Sequence, residues 1–179
     1  MKHGKFAFSI LVVFSLIAGC KKNKVEPYSF TKTYDTREFT VDSNSVTGTF
    51  LIADYIEETD IIQTLGDKGF SVYNLQTASL NGAKLDVVSA NRDLNCFTQL
   101  ELRIGSSQTG SVAIATAALP DENNETSVVF TSDDVELKDV FHLPELEITV
   151  NATTDLPVQP TPLRLKLDLS FDLSARLDD

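Results

Sequence analysis

LRLKLDLSFDLSARL, Leu163–Leu177, is the stretch that decides the fold. Leu163, Leu165, Leu167, Leu169, Phe171, Leu173, Ala175 and Leu177 alternate with Arg164, Lys166, Asp168, Ser170, Asp172, Ser174 and Arg176. Side chains of a β-strand point to opposite faces in turn, so this spacing predicts one long strand with an apolar face and a wet face. A helix would scatter the same leucines around its circumference. Leucine is only a modest strand former, and here the phase of the pattern outweighs its propensity.

The same alternation recurs upstream. Leu146, Ile148, Val150 and Ala152 alternate with Glu147, Thr149 and Asn151, and the loop 153–161 with Pro157 and Pro160 leads either into a long hairpin or across to a second sheet. Asn81-Gly82, between Phe70–Leu80 and Ala83–Ala90, reads as a type I′ hairpin turn, because both central positions of that turn need positive φ. Leu100, Leu102 and Ile104 lead through the turn 105–110 into Ser111–Leu119, and Thr126–Thr131 is a short β-branched run. Arg37–Asp42 and Val46–Ala53 flank the polar turn Ser43-Asn44-Ser45.

Two short helices fit between the strands. Asp60-Ile61-Ile62-Gln63 and Asp133-Asp134-Val135-Glu136 both match a capping box; Gly66 or Gly69 stops the first helix and Pro144 the second. A single turn fits near Asp93–Cys96. A faint repeat relates Asp60-Ile61 and Phe70–Leu75 to Asp134-Val135 and Leu146–Val150, a resemblance that strand patterns produce readily by chance. The expected fold is mainly β: an antiparallel β-sandwich of about nine strands with two short helices, because alternating strands bury one face each and two such faces cover one another. A membrane-spanning barrel is the rival for alternating strands, disfavoured by the small number of strands and by the terminal Asp178-Asp179.

The chain has 179 residues, 42% apolar and 23% charged, enough for one packed domain. Its formal charge of −11 speaks against a nucleic-acid partner, which needs a basic face. Two Cys, two His, one Met and no Trp supply neither a Cys/His zinc site nor a disulfide framework, and no cofactor motif is present.

The first residues read as an address. Lys2 and Lys5 form a basic start, FAFSILVVFSLIA (6–18) is an apolar run too short to span a bilayer unaided, and Leu16-Ile17-Ala18-Gly19-Cys20 closes it. This N-terminus resembles that of bacterial lipoproteins, whose lipobox places two small residues before a Cys. The resemblance implies removal of residues 1–19 and acylation of Cys20, which would become the lipid attachment site holding the chain to the bilayer. Two or three acyl chains anchor firmly where one does not. Cleavage would remove Lys2 and Lys5 and leave a charge of −13.

The residues 20–35 read as a basic, flexible tether and 36–179 as the single sandwich domain. Residues 20–37 carry +3, from Lys21, Lys22, Lys24, Lys32 and Arg37 against Glu26 and Asp35, whereas 38–179 carry −16. Basic residues next to an anionic bilayer are attracted and the acidic body is repelled. Lys21 is not the Asp associated with inner-membrane retention, and KKNK (21–24) is unlike the acidic tracts of surface-exported lipoproteins. By resemblance this places the chain in the cell envelope, at the outer membrane facing the periplasm. The body resembles the small β-sandwich lipoproteins of Bacteroidetes in style, without a diagnostic motif.

Few residues invite chemistry. After cleavage His142 is the one imidazole left, and no Gly-x-Ser-x-Gly elbow accompanies it, so a hydrolase is the least favoured reading. Cys96 lies in an acidic body that opposes thiolate formation. Asp121, Glu122, Asn123 and Glu125 form a loop of oxygen donors that could take calcium but lacks EF-hand spacing. Glu57, Glu58 and Asp60 read as a helix N-terminal turn, and Asp168 and Asp172 share a wet strand face too far apart for a glycosidase pair. The expectation is a lipid-anchored, non-catalytic module that meets an envelope protein partner. A binder of a small lipid or glycan is the alternative.

Overall fold

A computed structural model describes residues 26–43, 47–120, 124–158 and 162–177. In chain order the strands are β1 (Tyr28–Val41), β2 (Gly48–Glu58), β3 (Leu75–Val87), β4 (Gln99–Ser106), β5 (Gly110–Ala118), β6 (Ser127–Val129), β7 (Thr131–Ser132), β8 (Glu145–Thr154) and β9 (Leu163–Ala175). Two short helices, α1 (Ile61–Gly66) and α2 (Lys138–Phe141), lie between them.

β9 is the alternating strand expected, and all seven of its apolar residues from Leu163 to Ala175 are buried. It pairs antiparallel with β1 on one side and β3 on the other, within a four-stranded sheet of order β1-β9-β3-β6. The second sheet has the order β2-β8-β4-β5-β7, again antiparallel. The inward faces of β9 and β8 meet in one core, where the Phe171 ring contacts Phe141 edge-on at 5.1 Å and Tyr34 at 5.8 Å. The architecture is thus the antiparallel β-sandwich that the alternation requires.

Of the two routes open to the 153–161 loop, the chain takes the one that crosses between sheets, since β8 and β9 belong to different sheets. β1 and β2 are likewise split. β4 and β5 form the hairpin anticipated at 105–110. The run Thr126–Thr131 divides into β6 and β7, one in each sheet, with Phe130 buried between them.

Three expectations are corrected. Asn81-Gly82 is not a hairpin turn: both residues lie inside the single strand β3, at a bulge between Leu80 and Gly82, and Gly82 lacks positive φ. The bulge shifts the phase by one residue so that Leu80 and Ala83 both face the core, and β9 gains a partner along its whole length.

Ordered sheet begins before residue 35, inside the stretch expected to be a tether. Tyr28 already lies opposite Ala175 and Tyr34 opposite Leu169, because Tyr28, Phe30 and Tyr34 supply an apolar phase that the surrounding lysines disguise in the sequence.

Neither capping box forms. Asp60 adopts a left-handed conformation (φ 52°) without capping α1, and α2 starts after Leu137. Glu136 instead accepts hydrogen bonds from the backbone N–H groups of Ala78 (2.8 Å) and Lys138 (2.9 Å), tying α2 to the free side of β3. Asp134 is also left-handed (φ 53°), so both copies of the faint repeat place a left-handed Asp before a short helix and a strand. A capping box does occur at Ser71 and Asn74, around the 3-10 turn Val72–Asn74.

Candidate functional site: the open side of the sandwich

The two lateral sides of the sandwich differ. One ends in β6 and β7, of three and two residues. The other ends in β1 and β2, of 14 and 11 residues, each paired along one side only among the described residues. A long edge strand presents unpaired backbone donors and acceptors to any extended chain that approaches. Between β1 and β2 run two clefts: one of about 420 Å³, bounded by Lys32–Arg37 and Ile56–Asp60, and one of about 320 Å³, bounded by Thr40–Ser43 and Phe50–Ile52.

A polar seam lines the first cleft. Lys32 follows Phe30 in the inward phase of β1; its ammonium lies 3.4 Å from Asp60 and 5.3 Å from the centre of the Tyr34 ring. Arg37, beyond the bulge at Tyr34–Arg37, donates from Nε (3.2 Å) and Nη2 (2.9 Å) to Glu57 and stacks over Tyr55 at 5.1 Å. The Tyr34 hydroxyl is buried without a hydrogen-bond partner among the described residues. Burial first, then the charges of Asp60 and Glu57, push its pKa well above the ordinary tyrosine value. Tyr55 moves the same way through burial and Glu57, against the pull of Arg37. Both phenols therefore stay neutral at physiological pH.

The two edges are not equally protected. β1 carries an inward lysine, a bulge and flanking charges, all devices that discourage strand pairing. β2 also bulges, between Leu51 and Ala53, which turns both Ile52 and Ala53 inward. Its outward face still presents Leu51, 53% exposed, and Ile56, 60% exposed. Asp54 and Glu58 share that face, and Glu58 lies directly opposite Glu145. A recess of about 130 Å³ adjoins Ile56, between 106–108 and 143–147.

The residues singled out in the sequence fare differently. Glu57, Glu58 and Asp60 do cluster, but as the end of β2 and its following turn, not as the first turn of a helix. His142 follows α2, its backbone N–H donating to Lys138 O (3.0 Å), with its ring 6.0 Å from that of exposed Tyr73. Its Nε2 is buried and unpartnered among the described residues, so no serine or aspartate there engages that nitrogen. Cys96 is buried, and burial pushes its thiol pKa up despite the charge of Arg92.

Asp168 is held by Thr36 across the strands and by Lys166 along β9, and Asp172 by Thr31 (2.6 Å) and Asn81 (3.1 Å) as cross-strand ties. Cys20, Asp121, Glu122 and Asn123 lie outside the described residues. Glu125 accepts from the Leu94 N–H (2.8 Å) through its main chain. Among the described residues no group of three or more His, Cys, Asp or Glu is placed to hold a metal, and no helix is long and apolar enough to cross a membrane.

Lys32, Tyr34, Arg37 and Tyr55, which build the seam, escaped the sequence reading. The signal available was the spacing of Tyr28, Phe30 and Tyr34, hidden inside a stretch that net charge marks as a tether.

Fold and site together define an antiparallel β-sandwich open along one side. No family model matches the chain, and no curated protein does. Among solved structures it is similar to the VP2 subviral particle of infectious bursal disease virus, at 12% identity and TM-score 0.41, over 95% of this chain and 37% of that one. It is also similar to the Gx strain of the same virus, at 12% identity and TM-score 0.38, over the same shares. The chain thus spans little more than a third of the length of those viral chains.

Proposed function

We propose that this chain is a membrane-anchored lipoprotein of the bacterial cell envelope, held by acylated Cys20 and acting as a non-catalytic interaction module. The N-terminal pattern ending in Leu16-Ile17-Ala18-Gly19-Cys20 supports the anchor. The observation that carries the interaction reading is the pair of long edge strands on one side, with Leu51 and Ile56 exposed on β2. Strand addition at such an edge is an established way of recruiting extended segments. A small-ligand reading draws on one feature, the unpartnered Tyr34 hydroxyl beside the 420 Å³ cleft.

Metabolic labelling with a clickable palmitate, followed by membrane fractionation, tests the anchor. Cys20→Ala is expected to lose both label and membrane association; a labelled Cys20→Ala chain overturns it. In-cell photocrosslinking tests the surface. A crosslinker replacing Ile56 is expected to give a discrete protein adduct that one replacing Val112, exposed on β5, does not. Identical patterns from both positions would defeat the interaction reading.

A further inference from the structure

We infer that the outer edge of β2 is a docking site for an extended, basic segment of a partner protein, which adds to the five-stranded sheet as a further strand. The inference rests on the interaction reading above and specifies its surface and its partner chemistry. Both long edges bulge, but β1 alone carries a lysine, Lys32, in its inward phase, and β2 has none, so β2 is the edge less defended against pairing. Its bulge sets the outward phase as Leu51, Asp54, Ile56 and Glu58, an alternation of apolar and acidic positions. A strand added there places every second side chain alongside this row, at the ~4.8 Å spacing of neighbouring strands.

The charge of the edge selects the occupant. Lys32 neutralises Asp60 and Arg37 neutralises Glu57, so these pairs leave little net field. Asp42, Asp54, Glu58 and Glu145 take part in none of the ion pairs among the described residues. Glu58 faces Glu145 directly across the ladder, and like charges in that position cost stability. A lysine or arginine beside Glu58 relieves that repulsion, while an apolar residue beside Ile56 covers its exposed surface. A neutral strand relieves nothing, and an acidic one adds to the repulsion. The −16 body steers cationic segments toward the molecule before contact.

The full chain, purified from whichever fraction holds it, is titrated with an acetylated heptapeptide of alternating lysine and valine. The controls are the glutamate–valine analogue and a lysine–valine peptide N-methylated at alternate residues. Fluorescence anisotropy reads affinity, and hydrogen exchange locates the contact. The lysine–valine peptide is expected to slow exchange of 48–58, with the glutamate analogue at least tenfold weaker and the N-methylated peptide without measurable binding. The double variant Asp54→Lys/Glu58→Lys is expected to lose at least tenfold in affinity without a fall in melting temperature, since a lysine at position 58 removes the repulsion with Glu145. Equal binding of the N-methylated peptide means charge adhesion without strand pairing and overturns the inference. Protection falling outside 48–58, or slowed exchange of 48–58 caused by self-association of the chain without peptide, overturns it too. None of these outcomes bears on acylation of Cys20, which the palmitate label decides separately.

Discussion

Asp86 shows how a single carboxylate is tuned on the wet face of this sandwich. Burial opposes its ionisation, but hydrogen bonds from Lys84 and Ser127 and the charges of Lys84 and Lys166 outweigh it, so its pKa lies below the ordinary carboxylate value. A depressed pKa adds stability above the unfolded-state value, and that stability is lost as pH falls through the folded-state value. Asp86→Asn is therefore expected to lower stability at neutral pH by about 1 kcal/mol or less, the scale of a partly exposed pair. Urea titrations of both proteins at several pH values check this, with the gap closing on acidification; a gap that widens in acid would contradict it.

At the residue scale the direction of the Cys96 thiol pKa was legible, since an acidic body already opposes thiolate formation, although burial and not charge is its first cause. The orphan hydroxyl of Tyr34 was not legible. Its setting joins burial to the charges of Asp60 and Glu57, 26 and 23 positions away, and neither carboxylate forms a hydrogen bond to it.

The elements follow local rules wherever a turn is short and fail to where a bulge competes. In the β4–β5 hairpin, Gly105 pairs with Ser111, and a Cβ on Gly105 would sit 2.1 Å from the carbonyl oxygen of Gly110. The neighbour is backbone and cannot swing aside, so Gly105→Ala is expected to cost about 3 kcal/mol, the upper range of overpacking. Gly110 has φ +72°, and a Cβ there would meet nothing within 4 Å, so Gly110→Ala incurs only the left-handed penalty of about 1–2 kcal/mol. Denaturant midpoints of the two variants test the order; a milder effect at Gly105 than at Gly110 would show that the hairpin can open without cost.

Asn81-Gly82 teaches the converse. A local turn signal gave way to a bulge because β9 offers β3 continuous pairing from Leu75 to Val87, more bonds than a hairpin could keep. The two missed capping boxes have a related cause. Lys32 holds Asp60, and Glu136 divides its carboxylate between the β3 edge at Ala78 and the Lys138 N–H of α2, so each is drawn to a long-range partner and neither makes the expected reciprocal box.

At the scale of the whole molecule, stability hangs on the shared core between the sheets. Phe171 is fully buried on the central strand β9, touching Tyr34 from β1 and Phe141 from α2. Phe171→Ala removes ring contacts to both of these elements at once and is expected to cost about 3–5 kcal/mol. Equilibrium denaturation followed by both far-ultraviolet circular dichroism and tyrosine fluorescence should show one shifted transition. Loss of coincidence between the probes would mean that the sheets unfold separately.

What the amino-acid sequence determined by itself is the strand content, the identity of the buried faces and the sandwich class. Period-two alternation is a property of consecutive residues, and burying one face needs no knowledge of which strand lies beside it. Only the tertiary structure decided the strand order, the crossing of β1–β2 and β8–β9 between sheets, and the side left open. Those depend on pairings between residues more than a hundred positions apart, such as Tyr28 with Ala175, whose cost and gain no local pattern records.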